Sequence, residues 1–264
     1  MGIGLAASPA SADTASSKAQ ALAVNLLNNA NPAVGTGWRM AKNDGSTTSY
    51  TGSAEPGLAL LNGQNLLAAG ALVQQAYAFN NGSSVACAGV VGAGGKIQVG
   101  DGGNCVVTDA PSGGVVINLP GLLVLKADAL MEQASAASGG TPKAQGTFLN
   151  ATIQLLGGPV MPLALHPAVG DKIDLTPLIG VFLNTQSKHA DGSVEAALIK
   201  IKVIGDPALQ ANVGSVAAGP NASTAPIPVV PLAGIPLSVL IVGFVAYRGW
   251  WVPRRRRLAA AAAA

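Results

Sequence analysis

The sequence predicts a mainly β protein: an extracellular antiparallel β-sandwich followed by one C-terminal transmembrane helix. Three observations lead there. Apolar and polar residues alternate in short runs, with Gly, Pro, Asn-Gly and Asp-Gly between them, over much of residues 18–218; many short strands at regular spacing mark a sandwich. Charged residues are only 10% of the chain and aromatic residues 4%, a composition that argues against a soluble cytosolic enzyme. Near the end, residues 229–247 form an uncharged apolar run, followed by Trp250, Trp251 and the block Arg254, Arg255, Arg256 and Arg257.

Taken in order, residues 1–12 read as a truncated signal-peptide remnant. Ala10-Ser11-Ala12 is a small-x-small cleavage pattern behind a short apolar stretch, although the basic start of a signal peptide is missing. The other reading of this stretch is a disordered tip. The outer β domain is assigned to residues 13–218. Within it, residues 58–75 are rich in Leu and Ala and have helical character, interrupted by Asn62-Gly63 and Gly70. Asn80-Asn81-Gly82 reads as the turn of a hairpin joining residues 70–79 to 84–91. Residues 115–119 are a β-branched run stopped by Pro120-Gly121. Residues 126–137 have helix propensity but lie between strand-like segments, and strand is preferred. Residues 147–156 read as one alternating strand that Gly157-Gly158-Pro159 ends. The clearest strand covers residues 193–204, where Ile199, Ile201 and Val203 point one way and Lys200 and Lys202 the other. Asp191-Gly192 is the turn that joins it to residues 180–186. A short echo between residues 17–21 and 142–146 leaves one sandwich or a duplicated one as alternatives.

Residues 219–230 are a Pro/Ser/Thr-rich linker. Residues 231–252 are then the transmembrane helix, since at about 1.5 Å per residue such a run matches a hydrocarbon core of about 30 Å. Basic residues flanking a span stay on the cytoplasmic side, so Arg248 and the arginine block orient the chain, with Trp250 and Trp251 at the interface. Residues 253–264 form a basic cytoplasmic tail, and the expected location is the cell membrane, single-pass, with the N-terminal domain outside. Five of the fifteen basic residues are these arginines. The rest of the chain carries ten basic and twelve acidic residues, which removes the electrostatic argument for nucleic acid as a partner.

Cys87 and Cys105 are the only cysteines. In an oxidising compartment an even count so close in sequence reads as a disulfide; the alternative is two free buried thiols. Catalytic signals are scarce. His166 and His189 both sit in loop-like stretches, and neither a G-x-S-x-G elbow nor an H-E-x-x-H helix is present. Gly92 to Lys96 lacks the first Gly and the Ser or Thr of a phosphate loop, and reads as a surface loop pinned by the disulfide. The acidic residues Asp101, Asp109, Asp128, Glu132, Asp171, Asp174, Asp191 and Glu195 are scattered without metal-ligand spacing. No catalytic residue, cofactor or metal ligand is nominated.

Three segments together resemble the actinobacterial choice-of-anchor surface proteins. They are Ala86-Cys87-Ala88-Gly89-Val90-Val91 through Gly94-Gly95 to Cys105; Lys143-Ala144-Gln145-Gly146 with its following strand; and Val181-Phe182-Leu183-Asn184-Thr185-Gln186 with residues 195–203 and 212–217. Ile199 stands where a histidine would be expected. Lacking an L-P-x-T-G signal, the chain is similar to the span-anchored variety. The resemblance implies a secreted, surface-displayed β domain without a defined activity. The expectation is a non-enzymatic cell-surface protein with a structural, adhesive or binding role. Its partners would be the lipid bilayer and cell-wall components or surface proteins. The rival expectations are an extracellular enzyme acting on wall polymer and a small subunit of a larger membrane assembly.

Overall fold

A computed structural model describes residues 14–25, 34–56, 67–119, 123–155, 157–176, 179–203 and 206–222. The expected signal remnant, the expected span of residues 231–252, Arg248, Trp250, Trp251, the arginine block and the expected tail lie outside the described residues, as does most of the expected linker. Among the described residues no helix is long and apolar enough to cross a membrane, and all regular structure is strand.

Two layers of antiparallel sheet face each other. One is a seven-stranded sheet in which β16 (Asp171–Thr176), β17 (Ile179–Lys188), β18 (Val194–Val203), β19 (Asp206–Ala218) and β1 (Ala15–Asn25) follow in space. The far edge of β1 is shared by β2 (Val34–Gly35) and β3 (Arg39–Asn43). The other layer is divided. Its upper sheet orders β13 (Lys143–Leu149), β12 (Ala129–Ala136), β7 (Ser84–Val91), β6 (Ala71–Ala78) and β4 (Ser49–Pro56). Its lower sheet orders β15 (Val160–Pro162), β14 (Thr152–Leu155), β11 (Leu123–Ala127), β10 (Val115–Leu119) and β5 (Leu67–Ala69).

Single residues or pairs make that division. Gly70, at φ 119°, separates β5 from β6, Asp128 separates β11 from β12, and Asn150, at φ 49°, begins the break between β13 and β14. Asp128 is buried at this corner. Its two carboxylate oxygens accept hydrogen bonds from the Gly113 amide and the Asn150 side chain, each at 2.6 Å. Two expectations are corrected here. Residues 67–69 and 71–75 of the helical candidate are strands; Gly70 lets the chain switch sheets, which a helix interior would not need. The run of residues 147–156 is two strands, because the left-handed Asn150 turns the chain between them.

The seven-stranded sheet is continuous, yet it bends opposite the same level. Asn184 (φ 48°) and Gly214 (φ 65°) lie in one cross-strand row with Leu198 and Ala21. At this row the pleat skips. Leu183 with Asn184, Leu198 with Ile199, and Ala21 with Leu22 are consecutive residues that are all buried. Above the row, the core is made of Ala19, Ala86, Ala88, Ala134, Ala196 and Ala218 with Val194 and Val216. Side chains this small let the layers approach: a Cβ on Gly214 would stand 3.1 Å from the backbone oxygen of Ala88 in the opposite layer. Below the row, the core is aliphatic, with Leu22, Val115, Ile117, Leu125, Ile153, Val181, Leu183 and Ile201.

The hairpin of β8 (Lys96–Val99) and β9 (Cys105–Thr108) covers the outer side of the upper sheet. The Cys87–Cys105 disulfide ties it there with Cα atoms 5.8 Å apart, and Ile97 is buried beneath. Gly92 departs from the expected surface loop: it is buried, with Pro111 and Gly114 where a Cβ would go. The hairpins at Asn80-Asn81-Gly82 and Asp191-Gly192 form as expected, closed by Phe79–Ser83 and His189–Ser193 backbone bonds.

Candidate functional site

The outward face of the seven-stranded sheet carries the best-formed site. Its side chains fall into cross-strand rows fixed by register. Thr185, Ala197, Ser215 and Gln20 make one row. Ser187, Glu195, Ala217, Lys18 and Met40 make the next toward the turns. On the other side, Lys172, Phe182, Lys200 and Asn212 make a third. The middle row consists mostly of small residues, and the rows beside it carry long ones, so the middle row is the floor of a trough across the strands.

The pleat break widens that trough. Ordinarily, outward side chains recur every second residue, about 7 Å apart along a strand. Where two consecutive residues both turn inward, the outward gap becomes three residues, about 10 Å. That gap runs from Thr185 to Phe182 in β17, from Ala197 to Lys200 in β18 and from Ser215 to Asn212 in β19. The bend that divides the core inside therefore opens the groove outside. The resulting depression holds about 220 Å³ and is lined by Phe182, Thr185, Ser187, Glu195, Ala197, Lys200, Lys202, Asn212 and Ser215.

Its electrostatics are uneven. Lys202 stands 5.4 Å from the Phe182 ring centre and Lys172 5.9 Å from it. Lys172 is bonded to Asp174 at 2.6 Å, whereas Lys200 and Lys202 have no ion pair among the described residues. Burial pushes the Lys200 ammonium below its ordinary pKa, the Lys202 charge adds to this, and Glu195 opposes it. Two amide atoms of these rows, Gln20 Nε2 and Asn212 Oδ1, are buried without a hydrogen-bond partner among the described residues.

A second depression of about 380 Å³ adjoins the first through Glu195. Lys18, Met40, Lys42, His189, Asp191 and Ser193 line it. Lys18 bonds Glu195 at 3.2 Å and lies 4.3 Å over the Trp38 ring; His189 Nε2 is 4.0 Å from the same carboxylate. Ser, His and Asp thus meet here, but not as a nucleophile with its base. The Ser193 hydroxyl donates to Asp191 at 2.7 Å, and the Ser193 amide donates to the same oxygen at 2.9 Å. These bonds lower the Asp191 pKa, which keeps the carboxyl ionised and unsuited to act as an acid.

Of the residues the sequence nominated, Cys87 and Cys105 are joined, on the face of the other layer. His166 lies in a loop with Nδ1 3.0 Å from the Gly146 oxygen, and His189 lies in its turn beside Glu195. The sequence reading missed the trough, whose residues come from strands that meet only through register. It also gave no special place to Glu132, which is fully buried between the layers with neither carboxyl oxygen hydrogen-bonded among the described residues. Among the described residues no group of three or more His, Cys, Asp or Glu could hold a metal ion. No family model, curated protein or solved structure matches the chain.

Proposed function

We propose that this chain is a cell-surface protein that displays its β domain from a single C-terminal membrane anchor and works by binding rather than catalysis. The observation that carries this reading is the Cys87–Cys105 disulfide, because such a bond persists in an oxidising space outside the cytoplasm. The apolar run of residues 229–247 and the arginines after it supply an anchor and its orientation. In this account the domain is an extracellular β-sandwich, the span is residues 231–252, and the resemblance to span-anchored choice-of-anchor proteins points the same way. The trough gives the displayed domain a surface on which to bind. A membrane-impermeant amine reagent applied to intact cells tests this: it labels exposed Lys96 and Lys202 before lysis. Labelling only after lysis would reject it.

A second reading, an extracellular enzyme acting on wall polymer, draws on Asp191 and Glu195 lining one depression. Paired carboxylates serve glycoside hydrolysis when one is kept protonated. Here Asp191 is held ionised by Ser193 and Glu195 is engaged by Lys18, so the binding reading is preferred. Polymer turnover that disappears in Asp191→Asn would reverse that preference.

A further inference from the structure

We propose that the trough on the seven-stranded sheet binds a segment of acidic polysaccharide, its carboxylate groups set against Lys200 and Lys202 and its hydroxyl groups against the floor. This deepens the binding reading above and rests on it. Charge complementarity selects the sign of the ligand. Lys200 and Lys202 are two residues apart on one face of β18, and neither has an ion pair among the described residues. Glu195, which also lines the trough, is already bonded by Lys18. An arriving anion therefore offsets the mutual repulsion of the two lysines and the cost of holding the half-buried Lys200 charged.

Shape selects an extended ligand. The floor crosses β17, β18 and β19, a span of about 10 Å at the usual strand spacing, and the trough over it is open at the surface. A small ion would use only one end of it. Chemistry selects hydroxyl-bearing units. Ser215 offers a hydroxyl on the floor, and Thr185 Oγ1, which donates to the Ala197 oxygen at 3.2 Å, still accepts. Phe182 stands in one wall, and its flat ring gives the apolar face of a sugar something to rest on. In a chain so poor in aromatic residues, only Phe148 among the described aromatics is fully buried.

The test uses the full chain in detergent and measures binding of polygalacturonate by calorimetry. Dextran serves as the neutral polymer; single-stranded DNA and anionic lipid vesicles serve as other polyanions. Polygalacturonate is expected to bind, more weakly as salt rises, and dextran is expected not to. Lys200→Glu with Lys202→Glu should lower the affinity about tenfold or more, and Ser215→Trp, which fills the floor, should do likewise. Lys96→Glu, on the disulfide-bound hairpin, should leave binding unchanged. If Ser215→Trp fails to fold, Lys202→Glu alone carries the test, since that side chain is exposed and lies at the surface against the Phe182 ring. Unchanged binding in the folded lysine variants would overturn the proposal. So would dextran binding equal to polygalacturonate, or DNA or vesicles binding while polygalacturonate does not. These measurements use purified protein, so their failure leaves the cell-surface reading untouched, and failure of surface labelling leaves them standing.

Discussion

Replacing Glu132 with Gln should change how stability depends on pH. Glu132 lies in β12 between Ala88 of β7 and Gly146 of β13. A Cβ on Gly146 would meet its Oε2 at 3.0 Å, with the Leu198 and Asn184 side chains close by. No cation is among these neighbours, and burial raises the carboxyl pKa well above 4.5. The folded protein therefore keeps the proton after the unfolded chain has released it. The stabilising share of this group is complete below pH 4.5 and is lost as pH rises toward the raised folded value. In that window each pH unit costs about 1.4 kcal/mol. Gln keeps the shape and polarity of the acid but cannot ionise. Urea unfolding of both proteins at pH 5, 6 and 7 should show the gap between them widening by up to about 1.4 kcal/mol per unit, in favour of Glu132→Gln. Parallel curves would refute the reasoning, because they would mean that Glu132 titrates alike in both states.

Other perturbations probe the fold. Removing the disulfide with Cys87→Ser and Cys105→Ser should cost about 3 kcal/mol in urea unfolding, the chain-entropy value for a loop of this size. Gly214→Ala should cost about 2 kcal/mol or more by thermal melting, since it adds left-handed strain to a Cβ contact with the opposite layer. Gly192→Ala has the same sign of φ with nothing within 4 Å, so it should cost only about 1 kcal/mol. Asp128→Ala removes two hydrogen bonds from the corner between the upper and lower sheets and should cost about 2–3 kcal/mol by urea unfolding.

Strands with one wet face were legible in the sequence. In β18 the alternation of Ile199, Lys200, Ile201 and Lys202 marks both faces, because long charged side chains must reach water. β7 offers no such contrast: residues 84–91 are buried throughout, covered by the hairpin on one side and the alanine core on the other. Its end was legible only through the Asn-Gly turn before it. The pleat break was hidden because Leu198 and Ile199 are both apolar, and a run of apolar residues does not reveal which of them skips. Asn184 was the available signal, as Asn tolerates the left-handed conformation better than other residues with a side chain. The trough was illegible for a different reason. Thr185, Ala197, Ser215 and Gln20 are unremarkable small or polar residues until register aligns them. Glu132 gave a fainter cue, an acid directly after Leu130 and Met131 in a run where residues 129–137 contain no basic residue.

The most direct measurement of the central claim is protease treatment of intact cells, followed by detection of both ends of the chain. Display from a C-terminal anchor predicts loss of residues 13 to about 225 and survival of a small fragment carrying the arginine block. A chain that stays whole until the cells are broken would contradict it.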